Sequence, residues 1–335
     1  MIQARASRIA RSVRMGVGMV MRRVAVIENP ASGSVSSRRV RVVREAIAAL
    51  RTGGREVEHL VIDGPGSGAR LAQRAIESGC DTVLVCGGDG TVHQVLQPVV
   101  GSGVALGVLP LGTANALAAN LGLARSPEKA IRALLQAVPM EVPVGRISYR
   151  RPDGTPATRY FTVAAGVGPD ALLMARMDPV LKRRLGYVLY VIEAFRLWAG
   201  YPFPLFEVTL EGGSSTCSTV QASQILAVRI RSFGGVLGRL VPGASLHSRD
   251  LSVIAFKTRS RFRYLTFLLA ATAGRHGFSR DVELITAASL ECRPAPGEHP
   301  GIFVEADGEV LGHLPVRIEM ARETLHLLIP EGARP

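Results

Sequence analysis

Gly87-Gly88-Asp89-Gly90-Thr91 closes the apolar run VLVCG and feeds directly into TVHQV. A strand that ends in Gly-Gly-x-Gly and enters a helix presents free backbone N–H groups at the positive end of that helix, which favours phosphate. Asp89 repels a bare phosphate, but a divalent cation between them removes the conflict, because Mg²⁺ takes carboxylate and phosphate oxygens together. The loop therefore points to a metal-bound nucleotide, with Asp89 as metal ligand; the alternative reading is a tight strand-to-helix turn with a solvated Asp. It is neither a Walker loop nor G-x-G-x-x-G. Thr113 and Asn115 in GTANAL, and Asn29, Ser32 and Gly33 in NPASGS, offer further polar groups, each equally readable as a helix cap or turn. Far downstream, FVEADGEVLG carries Glu305, Asp307 and Glu309. Asp307-Gly308 is a hairpin signal, or Asp307 is a general base of the kind that phosphoryl transfer to an alcohol requires.

The elements that must position these residues alternate. VAVIEN, REVEHLVI, DTVLVCG and VALGVLP read as strands, separated by helical segments ending at signals such as Gly53-Gly54. Strand-helix alternation means βαβ units and a doubly wound parallel sheet. In such a sheet ligands sit beyond the carboxyl ends of the strands, where NPASG, GGDGT and PLGTANAL fall. After about Met140 the runs become short and β-like, from RYFTVAAGVG to TLHLLIP, interrupted by a helical stretch over roughly 170–199. The fold class is α/β plus all-β: a basic leader over 1–22, a nucleotide-binding α/β domain over 23–143, and an antiparallel sandwich-like domain over 144–335 whose last strands return to the first.

A chain of 335 residues, 47% hydrophobic and 20% charged, suits two globular domains. No apolar run is long and uninterrupted enough to span a bilayer. The formal charge of +13 is nearly all arginine, and six arginines fall in the first 23 residues. The leader forms a short basic amphipathic helix on a helical wheel, suited to an anionic membrane surface, or is an unstructured extension. Few aromatics and no nucleic-acid motif accompany the charge, so nucleic acid is not expected as a partner. Cys80, Cys86, Cys217 and Cys292 show no metal or disulfide spacing and read as reduced thiols of a cytoplasmic protein.

Taken together, NPASG, GGDGT, PLGTANALAANLGL, GVGPDA, KRRLGYVLYV and ADGE, in this order and followed by LHLLIP, resemble the diacylglycerol-kinase-like catalytic family, which includes soluble bacterial lipid kinases and sphingosine and ceramide kinases. The resemblance runs from about Arg23 to Pro330. It implies ATP bound in a cleft between the two domains and Mg²⁺-dependent transfer of the γ-phosphoryl group to the hydroxyl of diacylglycerol or a similar lipid. By position it implies Asn29, Ser32 and Gly33 near the nucleotide, and Gly87, Gly88, Asp89, Gly90 and Thr91 as the triphosphate loop. Thr113 with Asn115 completes the pocket, and Asp307 is the base with Glu309 beside it. Peripheral attachment to an anionic membrane surface follows from a lipid substrate, with the basic Lys182-Arg183-Arg184 stretch contributing; a homodimer is left open.

The sequence also departs from the family pattern. Ala116 stands where an Asp often follows GTAN. In GASLHSRDLSV, Ser248 and Ser252 align with acids that relatives use around a structural magnesium, and Pro143 replaces another acid. Two other readings stand beside the lipid kinase: an NAD kinase, which shares GGDGT, and a non-catalytic nucleotide or lipid sensor on the same fold.

Overall fold

The computed structural model describes residues 21–32, 37–123, 126–177, 187–212, 218–231, 241, 243–272, 281–296 and 301–333. They divide into two compact units. One contains the described residues up to Gly112, Leu121–Val142 and those from Thr324; the other contains Thr113–Asn120 and Pro143–Glu323.

In the first unit β1 (Arg23–Glu28), α1 (Ser37–Thr52), β2 (Glu56–Val61), α2 (Ser67–Glu77), β3 (Thr82–Gly87), α3 (Asp89–Val99) and β4 (Ala105–Pro110) alternate. The strands are parallel in the order β2-β1-β3-β4. β3 and β4 are buried at every position, the pattern of central parallel strands covered on both faces. Helix α2 turns Leu71, Ala72 and Ala75 to the sheet, spacing that places them on one helical face. Met21 and Arg22, at the end of the predicted leader, belong to this unit: Met21 N–H donates to Thr82 Oγ1 and Arg22 N–H to Asp81 Oδ2. After α4 (Ala116–Asn120), which groups with the second unit, α5 (Pro127–Leu135) packs on β4.

The second unit holds β5 (Val138–Arg150) from Pro143 onward, β6 (Pro156–Phe161), β7 (Ala164–Val167), α6 (Pro169–Arg176), α7 (Tyr187–Gly200), β8 (Phe206–Glu211), β9 (Ser218–Ala222), β10 (Gln224–Val228), β11 (Leu251–Phe256), α8 (Arg261–Thr272), β12 (Val282–Ala287), β13 (Ser289–Pro294), β14 (Phe303–Ala306), β15 (Glu309–His313) and β16 (Val316–Ile329) as far as Glu323. One antiparallel sheet runs β12-β11-β10-β7-β14-β15, another β16-β13-β8-β9, with β5 and β6 as a hairpin. Alternation along β8 sends Phe206, Val208 and Leu210 inward. They meet Ile225, Val253 and Val304 of the other sheet in one buried core, which makes this unit a sandwich. The last residues of β16 pair parallel with β4 in the first unit, His326 opposite Ala105.

Some boundaries differ from the sequence expectation. RYFTVAAGVG is not one strand but β6 and β7, broken at Thr162-Val163, while PVRIEM and TLHLLIP form the single strand β16. The apolar run from Tyr264 is the helix α8, and among the described residues no helix is long and apolar enough to cross a membrane. Cys80, Cys86 and Cys292 are buried free thiols; Cys217 and the Lys182-Arg183-Arg184 stretch lie outside the described residues.

Candidate active site

In the first unit the structure brings Asn29, Ser32, Gly87 and Thr91 together. β1 and β3 lie side by side, so the loop after β1 and the start of α3 share one end of the sheet. Asn29 Nδ2 donates to Thr91 Oγ1 at 2.8 Å, and Ser32 Oγ lies 3.1 Å from the same hydroxyl. Asn29 Oδ1 accepts the Ala31 N–H and folds the loop on itself. Thr91 is 4% exposed, and its hydroxyl ties the two loops together. A Cβ on Gly87 would lie 2.7 Å from Thr91 Cβ. Glycine at this position leaves room for the Thr91 side chain. Gly33 lies outside the described residues.

Asp89 is the first residue of α3, half-buried, with Gly88 as an N-cap that supplies no side-chain hydrogen bond. A helix leaves its first N–H groups without intrahelical acceptors, so this end offers backbone donors beside one carboxylate. Sequence reasoning missed Arg39 of α1. It is 7% exposed and donates from Nη2 to the Asn29 carbonyl, while its Nε and Nη1 find no partner among the described residues. Burial lowers its pKa, with the nearby Glu28 acting in the opposite sense. A buried guanidinium with spare donors beside the helix end fits an anion. Among the described residues no three His, Cys, Asp or Glu side chains cluster as a metal site. A single carboxylate still suits Mg²⁺, which keeps waters and draws other ligands from substrate phosphates.

In the second unit Thr113 is exposed, and Asn115, at φ 49°, precedes α4 and accepts the Ala119 N–H through its carbonyl, as a capping residue does. Asp307 and Gly308 form the two-residue turn between β14 and β15, with φ 51° and 85°. Positive φ at both positions is the mark of a type I′ turn. The Asp307 carboxylate leaves its own hairpin and caps the break between β6 and β7. Oδ2 accepts the Thr162 N–H at 3.0 Å, and Oδ1 accepts those of Val163 at 2.8 Å and Ala164 at 3.1 Å. The Asp307 N–H donates to the Ala164 carbonyl at 2.8 Å. Turn and carboxylate are therefore one rigid piece. Glu309 is exposed, at the start of β15.

Behind the turn Glu305, named in the sequence, pairs with a carboxyl that the sequence did not single out, Asp170. Glu305 is 5% exposed and its Oε2 accepts the Gly308 N–H at 2.6 Å. Asp170, half-buried at the first turn of α6, has both carboxyl oxygens enclosed, with Gln224 and the backbone N–H groups at the start of the helix acting on them. A Cβ on Gly166 would sit 1.8 Å from Asp170 Oδ2 and 2.8 Å from Glu305 Oε1, so that glycine makes the space the pair occupies. Burial pushes the Asp170 carboxyl up to about 7, and burial followed by the charge of Asp170 raises Glu305.

The same unit exposes an apolar stripe. Val188, Val191, Ile192 and Phe195 recur at helical spacing along α7, Phe195 being 64% exposed, and Phe262 at the start of α8 is 67% exposed. Trp198 bridges them, its ring centroid 5.6 Å from Phe195 and 5.9 Å from Phe262, while its indole N–H donates to the Arg261 carbonyl. The run YVLYVIEAFRLW carries this signal in its periodicity.

Residues 23–147 match the family model "Diacylglycerol kinase catalytic domain", and residues 162–329 match "YegS C-terminal NAD kinase beta sandwich-like domain". A protein of Mycobacterium tuberculosis named diacylglycerol kinase is 28% identical over 312 residues, covering 92% of this chain and 95% of that one. A protein of Chromohalobacter salexigens named "Probable lipid kinase YegS-like" is 34% identical over 166 residues, 48% of this chain and 50% of its own length. The fold is that of a crystal structure of a diacylglycerol kinase from Bacillus anthracis, with a TM-score of 0.66, 17% identity, and 93% and 98% of the two chains covered. Two consecutive family matches, on an α/β unit and a β-sandwich that each keep their acidic loop, place the chain in the diacylglycerol-kinase-like family of lipid kinases.

Proposed function

We propose that this lipid kinase transfers the γ-phosphoryl group of ATP, bound with Mg²⁺, to the hydroxyl of diacylglycerol or a similar lipid alcohol, with Asp307 as general base. The observation that carries this reading is the backbone cradle of Asp307. Three N–H groups from residues 162–164, together with the Thr162 hydroxyl at 3.4 Å, fix the orientation of this carboxylate. A carboxylate held in one orientation is what removal of a hydroxyl proton in the transition state needs. In the first unit, the donors at the start of α3 and the Arg39 guanidinium hold and orient phosphate oxygens. Asp89 is the ligand for Mg²⁺, which supplies neutralisation of charge on the transferring phosphate. The choice of diacylglycerol follows the M. tuberculosis relative, matched over nearly its whole length.

A lipid acceptor sits in a membrane, and the α7–α8 stripe is suited to insertion at its surface, with Arg261 beside it for anionic headgroups. On this reading the enzyme is cytoplasmic and peripherally attached. The test is transfer of labelled γ-phosphate from ATP to micellar diacylglycerol, sphingosine, ceramide and phosphatidylglycerol, with NAD as a soluble acceptor. Label in diacylglycerol is expected. Label in NAD alone, or in no acceptor despite ATP binding, would contradict the proposal.

A further inference from the structure

The resemblance implies a structural magnesium near residues 246–252, and the residues present do not fit one. Ser248 and Ser252 stand where acids are usual, and Pro143 replaces a third. The Ser248 hydroxyl is closed on Asp250, donating to its carbonyl at 2.9 Å and accepting its N–H at 3.1 Å. The Asp250 side chain is exposed, and Ser252 lies within β11 opposite Val228.

A different cation is present. Arg229, the residue after β10, is 1% exposed. Its Nη2 donates to the carbonyls of Pro143 at 2.8 Å and Leu246 at 2.9 Å; its Nη1 reaches the Ser248 carbonyl at 3.3 Å and Met320 Sδ. Two of these carbonyls belong to the positions where acids are missing, Pro143 and Ser248. Among the described residues no carboxylate comes within ion-pair distance of Arg229, although the negative charge of Asp307 acts on it from further away. Burial lowers its pKa to about 10, so it remains charged at neutral pH. A buried charge is costly unless compensated, and the compensation here is a set of main-chain oxygens, the hard donors that otherwise surround a divalent ion. The backbone of Arg229 also reaches the base: its N–H donates to the Val163 carbonyl at 2.9 Å, and the Val163 N–H donates to Asp307 Oδ1.

We propose that the Arg229 guanidinium is a built-in cation that takes the place of the structural metal, gathering the main chain at Pro143, Leu246 and Ser248 and steadying the 162–164 segment that holds Asp307. The chain then needs no divalent ion to maintain this unit, and Arg229 acts as a positioning residue.

The direct test is metal content and thermal melting of the purified full chain without nucleotide. After EDTA treatment and exchange into metal-free buffer, the expected result is far less than one divalent ion per chain and a melting temperature equal to that in Mg²⁺. One retained ion per chain, or a melting temperature lowered by EDTA and restored by Mg²⁺, would overturn the proposal. Arg229→Met is expected to lower the melting temperature by on the order of 10 °C; stability equal to the parent would also overturn it. If that variant does not fold, Arg229→Lys keeps the charge without the planar fork. It is expected to fold and to lower kcat per folded enzyme severalfold at unchanged KM for ATP; unchanged kcat would show that Arg229 does not position the base. This last arm rests on the proposed function, whereas the metal and melting arms do not.

Discussion

Asp307 satisfies two demands that the sequence presents as alternatives. Asp-Gly makes the type I′ turn, and the same carboxylate, turned away from its hairpin, is locked by the 162–164 amides. This locking has a consequence for mutagenesis, because Asp307→Asn places an amide NH₂ against backbone donors and so costs stability of about 1–3 kcal/mol in addition to activity. Neither the cradle nor the buried pair behind it was legible in the sequence, since their partners are brought together only by β14 and β7 pairing across more than a hundred residues. Asp170 and Glu305 carry a pH dependence. With a folded pKa near 7 against about 4 unfolded, the folded chain holds a proton on Asp170 over the interval in which the unfolded chain has released it. Stability is therefore highest at the acid end of that interval and falls as pH rises towards 7. Glu305 shifts in the same direction, and burial also raises the neighbouring Tyr201 and Tyr264, which titrate above this range. The melting temperature of the parent should fall between pH 5 and pH 7.5, and that of Asp170→Asn should fall less steeply; equal slopes would contradict the assignment.

At the scale of elements, the α/β half was readable because each strand and helix is local and announces itself by period and by glycine stops, and the three loops lie at the ends predicted. The β-rich half was readable in kind but not in its boundaries. β16 crosses the polar Arg322-Glu323 without interruption because its two halves pair with different strands, β13 and β4. The break between β6 and β7 exists because Thr162 and Val163 donate to Asp307 instead of continuing a ladder. Packing between paired strands also sets residue choice. Gly145 in β5 faces Phe161 in β6, and a Cβ there would lie 2.1 Å from the ring. Phe161 is fully buried and has no free space to move into. Gly145→Ala is expected to destabilise the fold by about 1–3 kcal/mol, read as a lower denaturation midpoint with unchanged m-value; a midpoint equal to the parent would show that the hairpin yields.

For the molecule as a whole, the net charge of +13 and the exposed apolar stripe on α7 and α8 underlie the proposed contact with an anionic membrane surface. Phe195→Ser with Phe262→Ser removes its two most exposed rings. The double variant is expected to bind vesicles containing anionic lipid several-fold more weakly, each ring being worth about 1.5–3 kcal/mol when fully buried, with its melting temperature nearly unchanged. Equal vesicle binding would contradict the proposed contact of this stripe with a membrane. In the proposed function the base for a lipid acceptor is held at the β14–β15 turn, and this is tested by the rate of diacylglycerol phosphorylation by the parent and by Asp307→Asn, each normalised to folded protein by circular dichroism. The expected result is labelled lipid from the parent and a kcat reduced by at least about 10²-fold in the variant, with ATP binding retained. A variant that is folded and turns over at the parental rate would contradict the account.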